Sequence, residues 1–221
     1  MEWTLVRHGQ STANRDGILQ GRSDAPLSDL GLRQAAQLGN WFRERGLSWH
    51  AVYCSPLRRA RDTAGLIVEK TGAPAAIEDP DLEEVHVGEM QGKPHAQLHQ
   101  EHPSFYARGI EGMGDYSEFG GEAYGDVQVR VQRLIATLSG RHRAAEHRLL
   151  LVSHGGLLFQ LIKALVSVPV PRAVMLRFGN CSVTRVRFRE RRGAYIGEIE
   201  WHFPIDLIGG EPSGGAAALL F

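Results

Sequence analysis

A short apolar segment, a polar turn and a helix follow one another three times along this chain. The apolar segments have the length and composition of buried strands, and they cover residues 3–7, 51–54 and 149–152. This alternation is typical of a mostly parallel sheet with helices on both faces, and it predicts a three-layer α/β/α sandwich. Ligands of such folds bind beyond the carboxyl ends of the strands, so the polar turns are the first places to look for a site.

The remaining pattern completes a single domain. Apolar residues at helical spacing predict helices over 29–45, 56–70, 123–145 and 157–166, and two later strands are expected over 182–188 and 195–203. We predict one α/β domain over residues 1–208, with a lid-like insertion at about 86–122, and a flexible Gly/Ala-rich tail over 209–221.

The charge balance bounds the partners. Lys plus Arg and Asp plus Glu both count 25, so the formal net charge is zero, which argues against non-specific binding to nucleic acid or to a membrane surface. We expect a cytoplasmic protein, because the chain has no long apolar run and no leader-like start. Cys54 and Cys181 are then expected to be buried thiols. The sequence leaves open whether the chain forms a homodimer.

Four basic side chains fall in the turns after the strands. Arg7, His8, Arg58 and His154 bring two guanidinium groups and two imidazoles together without a neighbouring acid in sequence. Arginine binds phosphate oxygens bidentately, and the helix that starts near Pro56 adds free backbone N–H groups. This set predicts a phosphate site in which one neutral histidine attacks phosphorus and the other stabilises charge.

Breaking a phosphate ester also requires a general acid for the leaving oxygen. Glu83 and Glu84 lie between the second and third strand units and are the candidates. The residues alone do not choose between them.

Six motifs together resemble the histidine phosphatase superfamily, also called the phosphoglycerate mutase-like family. They are LVRHGQSTAN over 5–14, SPLRRARDTA over 55–64, LEEVHVGEMQG over 82–92, GGE over 120–122, VSHGG over 152–156 and NCSVT over 180–184. They occur in the family's order and span residues 3–190. The resemblance is to the phosphatase branch of the family.

That resemblance implies roles for individual residues. His8 would be the phosphorylated nucleophile, Arg7, Arg58 and His154 the rest of the phosphate pocket, and Glu84 the proton donor. The residues expected to bind substrate are Asn14, Gln20, Gly21, Ser11, Gly155 and Arg108. No metal and no cofactor are expected.

Three further patterns have alternative interpretations. His95, His99 and His102 share a helical face that could bind zinc, but a polar face is the preferred interpretation. Arginines alternate at 185, 187 and 189, and we interpret them as the solvent face of a strand, not a nucleic-acid stripe. The Gly- and aromatic-rich segment 103–120 is either a lid, with Arg108 facing a second anion, or an ordinary surface loop.

The sequence therefore predicts a metal-independent phosphatase that hydrolyses small phosphomonoesters through a phosphohistidine on His8. The first alternative is a phosphoglycerate mutase, and the second is a non-catalytic phosphate-binding module.

Overall fold

One six-stranded sheet organises the molecule. The computed structural model describes residues 1–108, 114–144, 146–166, 178–191 and 194–209. The strands are β1 (Glu2–Arg7), β2 (Ala51–Cys54), β3 (Ala76–Glu78), β4 (Arg148–Ser153), β5 (Val183–Arg191) and β6 (Ala194–Phe203). Their order is β3-β2-β4-β1-β5-β6, and the first four are parallel while β5 and β6 are antiparallel to their neighbours.

Helices cover both faces of the sheet. They are α1 (Thr12–Arg15), α2 (Asp29–Glu44), α3 (Arg58–Thr71), α4 (His95–Glu101), α5 (Pro103–Tyr106), α6 (Tyr124–Arg141) and α7 (Gly155–Val166). Alternate strand residues point to opposite faces, so Leu5 packs under α6 and α7 while Val6 packs under α2 and α3. The predicted three-layer sandwich is confirmed.

Most helix and strand boundaries lie within a few residues of the predicted ones. The start of α3 differs from its prediction because of the turn that precedes it. The sequence predicts a start at Pro56 with Ser55 as the cap, but α3 begins at Arg58 after Leu57, which makes no side-chain cap. Ser55 Oγ accepts the N–H of Leu57 and also meets His154, so its hydroxyl holds both the turn and the His154 imidazole. The elements β3, α1, α4 and α5 are too short for hydrophobic periodicity to predict them from the sequence.

The predicted insertion forms a small core of its own. Val87, Met90 and Leu98 are buried there, and Leu19 and Phe105 are among the side chains that pack against them. This segment adjoins the carboxyl edge of the sheet, where Val87 and α4 reach the cavity described below. Whether it closes as a lid stays a prediction.

Several surface predictions can be compared with the structure. Arg185 and Arg187 pair with Glu2 and Glu200, and Arg189 pairs with Glu198, which matches a strand face neutralised by carboxylates. Both cysteines are buried and unpaired, as expected. No helix among the described residues is long and apolar enough to cross a membrane. The predicted flexible tail lies beyond residue 209, outside the described residues.

Candidate active site

His8 follows β1 directly and is held in one orientation. Its side chain is 2% exposed, and its ring Nδ1 lies 2.6 Å from the carbonyl oxygen of Gly9, to which it donates. The other ring nitrogen, Nε2, accepts a hydrogen bond from Arg59 at 3.2 Å. The Nε2 lone pair is therefore directed at the buried guanidinium group of Arg59, and both residues line the cavity described below.

Arg59 is the arginine that joins the two histidines. Its Nε lies 3.2 Å from both His8 Nε2 and His154 Nδ1, and the other two nitrogens donate to the carbonyls of Ser23 and Gly21 at 2.6 and 2.8 Å. The residue is 1% exposed. These four acceptors hold the buried guanidinium group of Arg59 beside the imidazole ring of His8.

The prediction of Arg58 as a pocket residue is therefore corrected by one position. Arg58 has a half-exposed side chain that pairs with Asp62 one turn further along α3. The buried face of α3 contains Arg59, Ala60, Thr63 and Ile67, and Arg58 lies off that stripe. Both arginines fit the motif, but only Arg59 shares the helical face that packs on the sheet.

Arg7 supplies a second buried guanidinium group. It is 6% exposed, one terminal nitrogen donates to the carbonyl of Phe178, and its Nε has no hydrogen-bond partner among the described residues. Two buried cations, Arg7 and Arg59, line the described cavity, and Glu84 is the one carboxylate among its described lining residues. The positive charge there is therefore only partly balanced. A dianionic phosphate would supply the missing charge and acceptors.

His154 lies beside His8 at the end of β4. The two ring centroids are 5.0 Å apart, and His154 Nε2 lies 2.8 Å from Ser55 Oγ. Because its Nδ1 accepts from Arg59, Nε2 carries the proton and donates to the hydroxyl. His154 is completely buried.

The electrostatics keep both imidazoles neutral before an anion binds. Burial, followed by the nearby charges of Arg59 and Arg7, lowers the pKa of His8 well below its usual 6.5. The pKa of His154 falls for the same reasons. Burial also lowers the pKa of Arg59 to about 10, which still leaves it charged at neutral pH. His8 is therefore a free base at pH 7.

Glu84, and not Glu83, lines the cavity. Its carboxylate accepts the backbone N–H groups of Gly156 and Leu157 at the start of α7, at 3.1 and 2.9 Å. A Cβ atom on Gly156 would lie 2.7 Å from this carboxylate, so the second glycine of the motif allows the close approach. Glu83 instead pairs with Arg22. The structure thus brings Glu84, and not Glu83, into the cavity that His8 lines.

The residues predicted to bind substrate divide into two groups. Asn14, Gln20 and Gly21 line the cavity. Ser11, Gly155 and Arg108 are not among its described lining residues. Ser11 caps α1 and bonds Gln20, Gly155 begins α7, and Arg108 is an exposed side chain that pairs with Glu118. Asn14 is held by Asn180, which also donates to the His8 carbonyl.

These groups share one open cavity of about 620 Å³. The phosphate end contains Arg7, His8, Arg59 and Glu84. The outer part is lined by Ile18, Leu19, Val85, Val87, His95, Gly114, Tyr116 and Gln160.

The three histidines considered for zinc do not converge. His95 lines the cavity, His99 stacks on Tyr106, and His102 meets the edge of Phe119. No cluster of three or more His, Cys, Asp or Glu in the described part of the chain could hold a metal ion.

The sequence profile of the histidine phosphatase superfamily (branch 1) matches residues 3–197. This chain belongs to that superfamily. A metal-independent phosphoserine phosphatase of Arabidopsis thaliana is 31% identical over 194 residues, covering 86% of this chain and 78% of that protein. A glucosyl-3-phosphoglycerate phosphatase of Mycobacterium tuberculosis is 32% identical over 208 residues, covering 91% of this chain and 92% of that protein.

Solved structures agree with the sequence matches. The mycobacterial glucosyl-3-phosphoglycerate phosphatase in complex with VO3 superposes with a TM-score of 0.76 at 31% identity, covering 90% of this chain and 97% of that one. The expected phosphatase activity is confirmed at this level: the chain is a histidine phosphatase and a phosphoric monoester hydrolase.

Among the cavity residues that sequence reasoning missed, or whose roles it missed, are Arg59, His95, Tyr116 and Gln160. Arg59 was one position from the predicted arginine, and the helical stripe of Thr63 and Ile67 is the signal that identifies it. His95 was considered only as a metal ligand. Tyr116 and Gln160 carry no motif, and only the folded chain brings them together.

Proposed function

We propose that this histidine phosphatase hydrolyses small phosphomonoesters without a metal, through a phosphohistidine intermediate on His8. The observation that carries the proposal is the fixed ring of His8: Nδ1 is tied to the Gly9 carbonyl, and Nε2 meets the buried guanidinium group of Arg59 in a cavity that Arg7 also lines. This arrangement aims a neutral nucleophile at the place where an anionic phosphoryl group is bound most favourably.

In the first step, His8 Nε2 forms a bond to phosphorus while the bond from phosphorus to the ester oxygen breaks. Glu84 gives its proton to the departing oxygen, which leaves as an alcohol. Arg7 and Arg59 hold the equatorial oxygens, and they supply the positive charge that the transferring group requires. His154 lies beside them, and the phosphate dianion raises its affinity for a proton.

In the second step, water attacks phosphorus and the bond to His8 breaks. Glu84, now a carboxylate, takes the proton from the water, so the enzyme returns to its starting state when inorganic phosphate leaves. Glu84 therefore acts as the acid in the first half-reaction and as the base in the second, and water is the only co-reactant.

The substrates named for the relatives, phosphoserine and glucosyl-3-phosphoglycerate, are small phosphorylated compounds, which supports small phosphomonoesters as the substrate class of this enzyme. The buried free thiols of Cys54 and Cys181 fit a reducing compartment, and we propose that the enzyme works in the cytoplasm.

The test is phosphate release from a panel of phosphomonoesters in EDTA by wild type and His8→Ala. We expect release by wild type alone, and quenching in alkaline SDS during turnover of a ³²P-labelled ester should trap label on the protein, because phosphohistidine is stable in base and labile in acid. Turnover by His8→Ala near the wild-type rate contradicts the mechanism. Transfer of the phosphoryl group between 3- and 2-phosphoglycerate without net release would support a mutase, and binding without turnover would support a phosphate-binding module.

Glu84→Gln and Glu83→Gln form a matched pair for the proton donor. Glu84→Gln should slow alkyl phosphates by ~10²–10⁴ and leave activated aryl phosphates much less affected, because an aryl oxide leaves without a proton. Glu83→Gln should change neither rate by more than a few-fold, and the reverse result would exchange their roles.

A further inference from the structure

The outer part of the cavity, which we call the leaving-group compartment, differs in charge from the phosphate end. Its described lining is Ile18, Leu19, Val85, Val87, His95, Gly114, Tyr116 and Gln160. None of these side chains is a lysine or an arginine. In the described part of the cavity, both cations belong to the phosphate end, where His8 and Glu84 engage the reacting group.

The cations next to this compartment are already paired. Arg22 reaches both Glu83 and Glu122, and its Nε also donates to the Glu84 carbonyl. Arg108 is exposed and pairs with Glu118. The adjoining segment 109–113 contains no lysine or arginine in its sequence. Lys163, one turn beyond Gln160 on α7, has no described carboxylate partner, but its ammonium reaches the Tyr124 hydroxyl and it is not among the described lining residues. A carboxylate entering this compartment would therefore meet no cation among the described lining residues outside the phosphate end.

His95 supplies hydrogen-bonding capacity without charge. Burial lowers its pKa, and His99 and Arg7 lower it further, so the ring is neutral at pH 7. Its Nδ1 is buried without a hydrogen-bond partner in the described structure. An imidazole in this state gains a hydrogen bond when a ligand hydroxyl or amide supplies the missing partner.

Gln160 and Tyr116 continue the same chemistry. The side-chain oxygen of Gln160 accepts from Gln128 at 3.0 Å, which turns its amide nitrogen toward Gly114. Tyr116 is half-buried, and burial raises the pKa of its phenol, so the hydroxyl keeps its proton. Opposite these polar groups, Ile18 and Leu19 give the compartment an apolar side.

We infer that the natural leaving group is an uncharged alcohol that carries hydroxyl or amide groups beside an apolar face, and that His95 is a specificity-determining residue for it. The inference rests on the proposed function, because it assumes that phosphate occupies the end beside His8. Among the described lining residues, a second carboxylate or phosphate on the ester has no cationic partner outside the phosphate end, so such esters are predicted to be poor substrates.

The test uses two esters that differ in one charged group. Glycerol 3-phosphate and 3-phosphoglycerate have the same length and the same middle hydroxyl, but the first ends in a hydroxymethyl group and the second in a carboxylate. We expect kcat/KM to be at least ~10-fold higher for glycerol 3-phosphate. An equal or higher value for 3-phosphoglycerate would overturn the inference.

Adding a cation to the compartment should reverse the preference. His95→Arg is expected to lower the ratio of the two kcat/KM values at least ~10-fold, by favouring 3-phosphoglycerate. Gln97→Arg is the matched control, because Gln97 lies on the same helix with an exposed side chain and is not among the described lining residues. An unchanged ratio in His95→Arg, or an equal change in Gln97→Arg, would remove His95 from this role. An unchanged inhibition constant for inorganic phosphate shows that the variants keep the pocket.

The binding of the two esters separates this inference from the proposed function. Their competition with inorganic phosphate, measured by calorimetry on His8→Ala, ranks the esters without turnover. If wild type hydrolyses no ester but glycerol 3-phosphate still binds more tightly, the catalytic proposal fails and the inference stands. If hydrolysis occurs but 3-phosphoglycerate binds more tightly, the inference fails alone.

Discussion

Replacing Arg59 by lysine is the substitution that examines the phosphate pocket most directly. Arg59 uses three nitrogens to reach four acceptors: His8 Nε2, His154 Nδ1 and the carbonyls of Ser23 and Gly21. Lysine keeps the positive charge but has a single nitrogen, so it cannot occupy these positions together. Several buried acceptors then lose their donor, and the charge no longer points at the phosphoryl oxygens.

The size of the effect follows from these contacts. Removing one preorganised donor to a developing anion costs ~10²–10³ in rate, and we expect a fall of that size in kcat/KM for Arg59→Lys. The free energy of unfolding should fall by about 1–3 kcal/mol, because at least one buried carbonyl loses a charged hydrogen bond. The lysine keeps the positive charge beside Arg7, so no part of the expected effect comes from the loss of a buried cation.

Arg58→Lys is the matched control, since it changes the adjacent arginine in the same way. Arg58 has a side chain that is 54% exposed, and its ion pair with Asp62 is 3.4 Å long. An exposed pair of this kind contributes little, so kcat/KM should stay within about twofold of wild type. The assay is steady-state phosphate release from phenyl phosphate, with the vanadate inhibition constant as a second readout. If Arg58→Lys loses as much activity as Arg59→Lys, or if Arg59→Lys stays within about threefold, the assignment is refuted.

Three further predictions concern the proton donor, the core and pH. Gly156→Ala should lower kcat/KM for alkyl phosphates by ~10-fold or more, because its Cβ would displace the Glu84 carboxylate; Gly140→Ala, which meets nothing within 4 Å, should leave kinetics unchanged. Leu134→Ala should lower the free energy of unfolding by about 2–5 kcal/mol in urea titrations, because Leu134 is fully buried, and a loss below about 1 kcal/mol would contradict its placement. The pKa of His8 is depressed in the folded state, so below pH 6.5 the unfolded chain binds more protons than the folded chain. As the pH is lowered below 6.5, the contribution of this group to the free energy of unfolding therefore falls, by up to about 1.4 kcal/mol per pH unit. Unfolding curves between pH 5 and 7 should show a shallower dependence in His8→Ala, and an identical slope would count against the depressed pKa.

The sheet and its carboxyl edge were predictable because their signals are local. Each parallel strand is a short apolar run, and the polar residue after it is adjacent in sequence, so the strand pattern by itself places His8 and His154 at one edge. The register of β1 against β4 aligns Arg7 with Ser153, which brings these two turns together.

The part that sequence did not predict depends on contacts between distant segments. Arg58 and Arg59 are equally basic, and only packing of α3 on the sheet decides which one is buried. The family resemblance favours Glu84 over Glu83, but the residues alone do not choose between them, because the choice depends on the N–H groups of α7 more than seventy positions away. Tyr116 reaches the cavity because it packs on the small core of the insertion, and no sequence motif marks that core.

That separate small core has an evolutionary consequence. The phosphate-handling residues lie at the carboxyl edge of the central sheet and on α3, whereas His95 and Tyr116 come from a segment that packs around Val87, Met90 and Leu98. Substitutions that change which alcohol is accepted can therefore accumulate in one packing unit while the unit that breaks the bond keeps its geometry. A lineage with this design can acquire new substrates by small steps, and each intermediate remains a working enzyme.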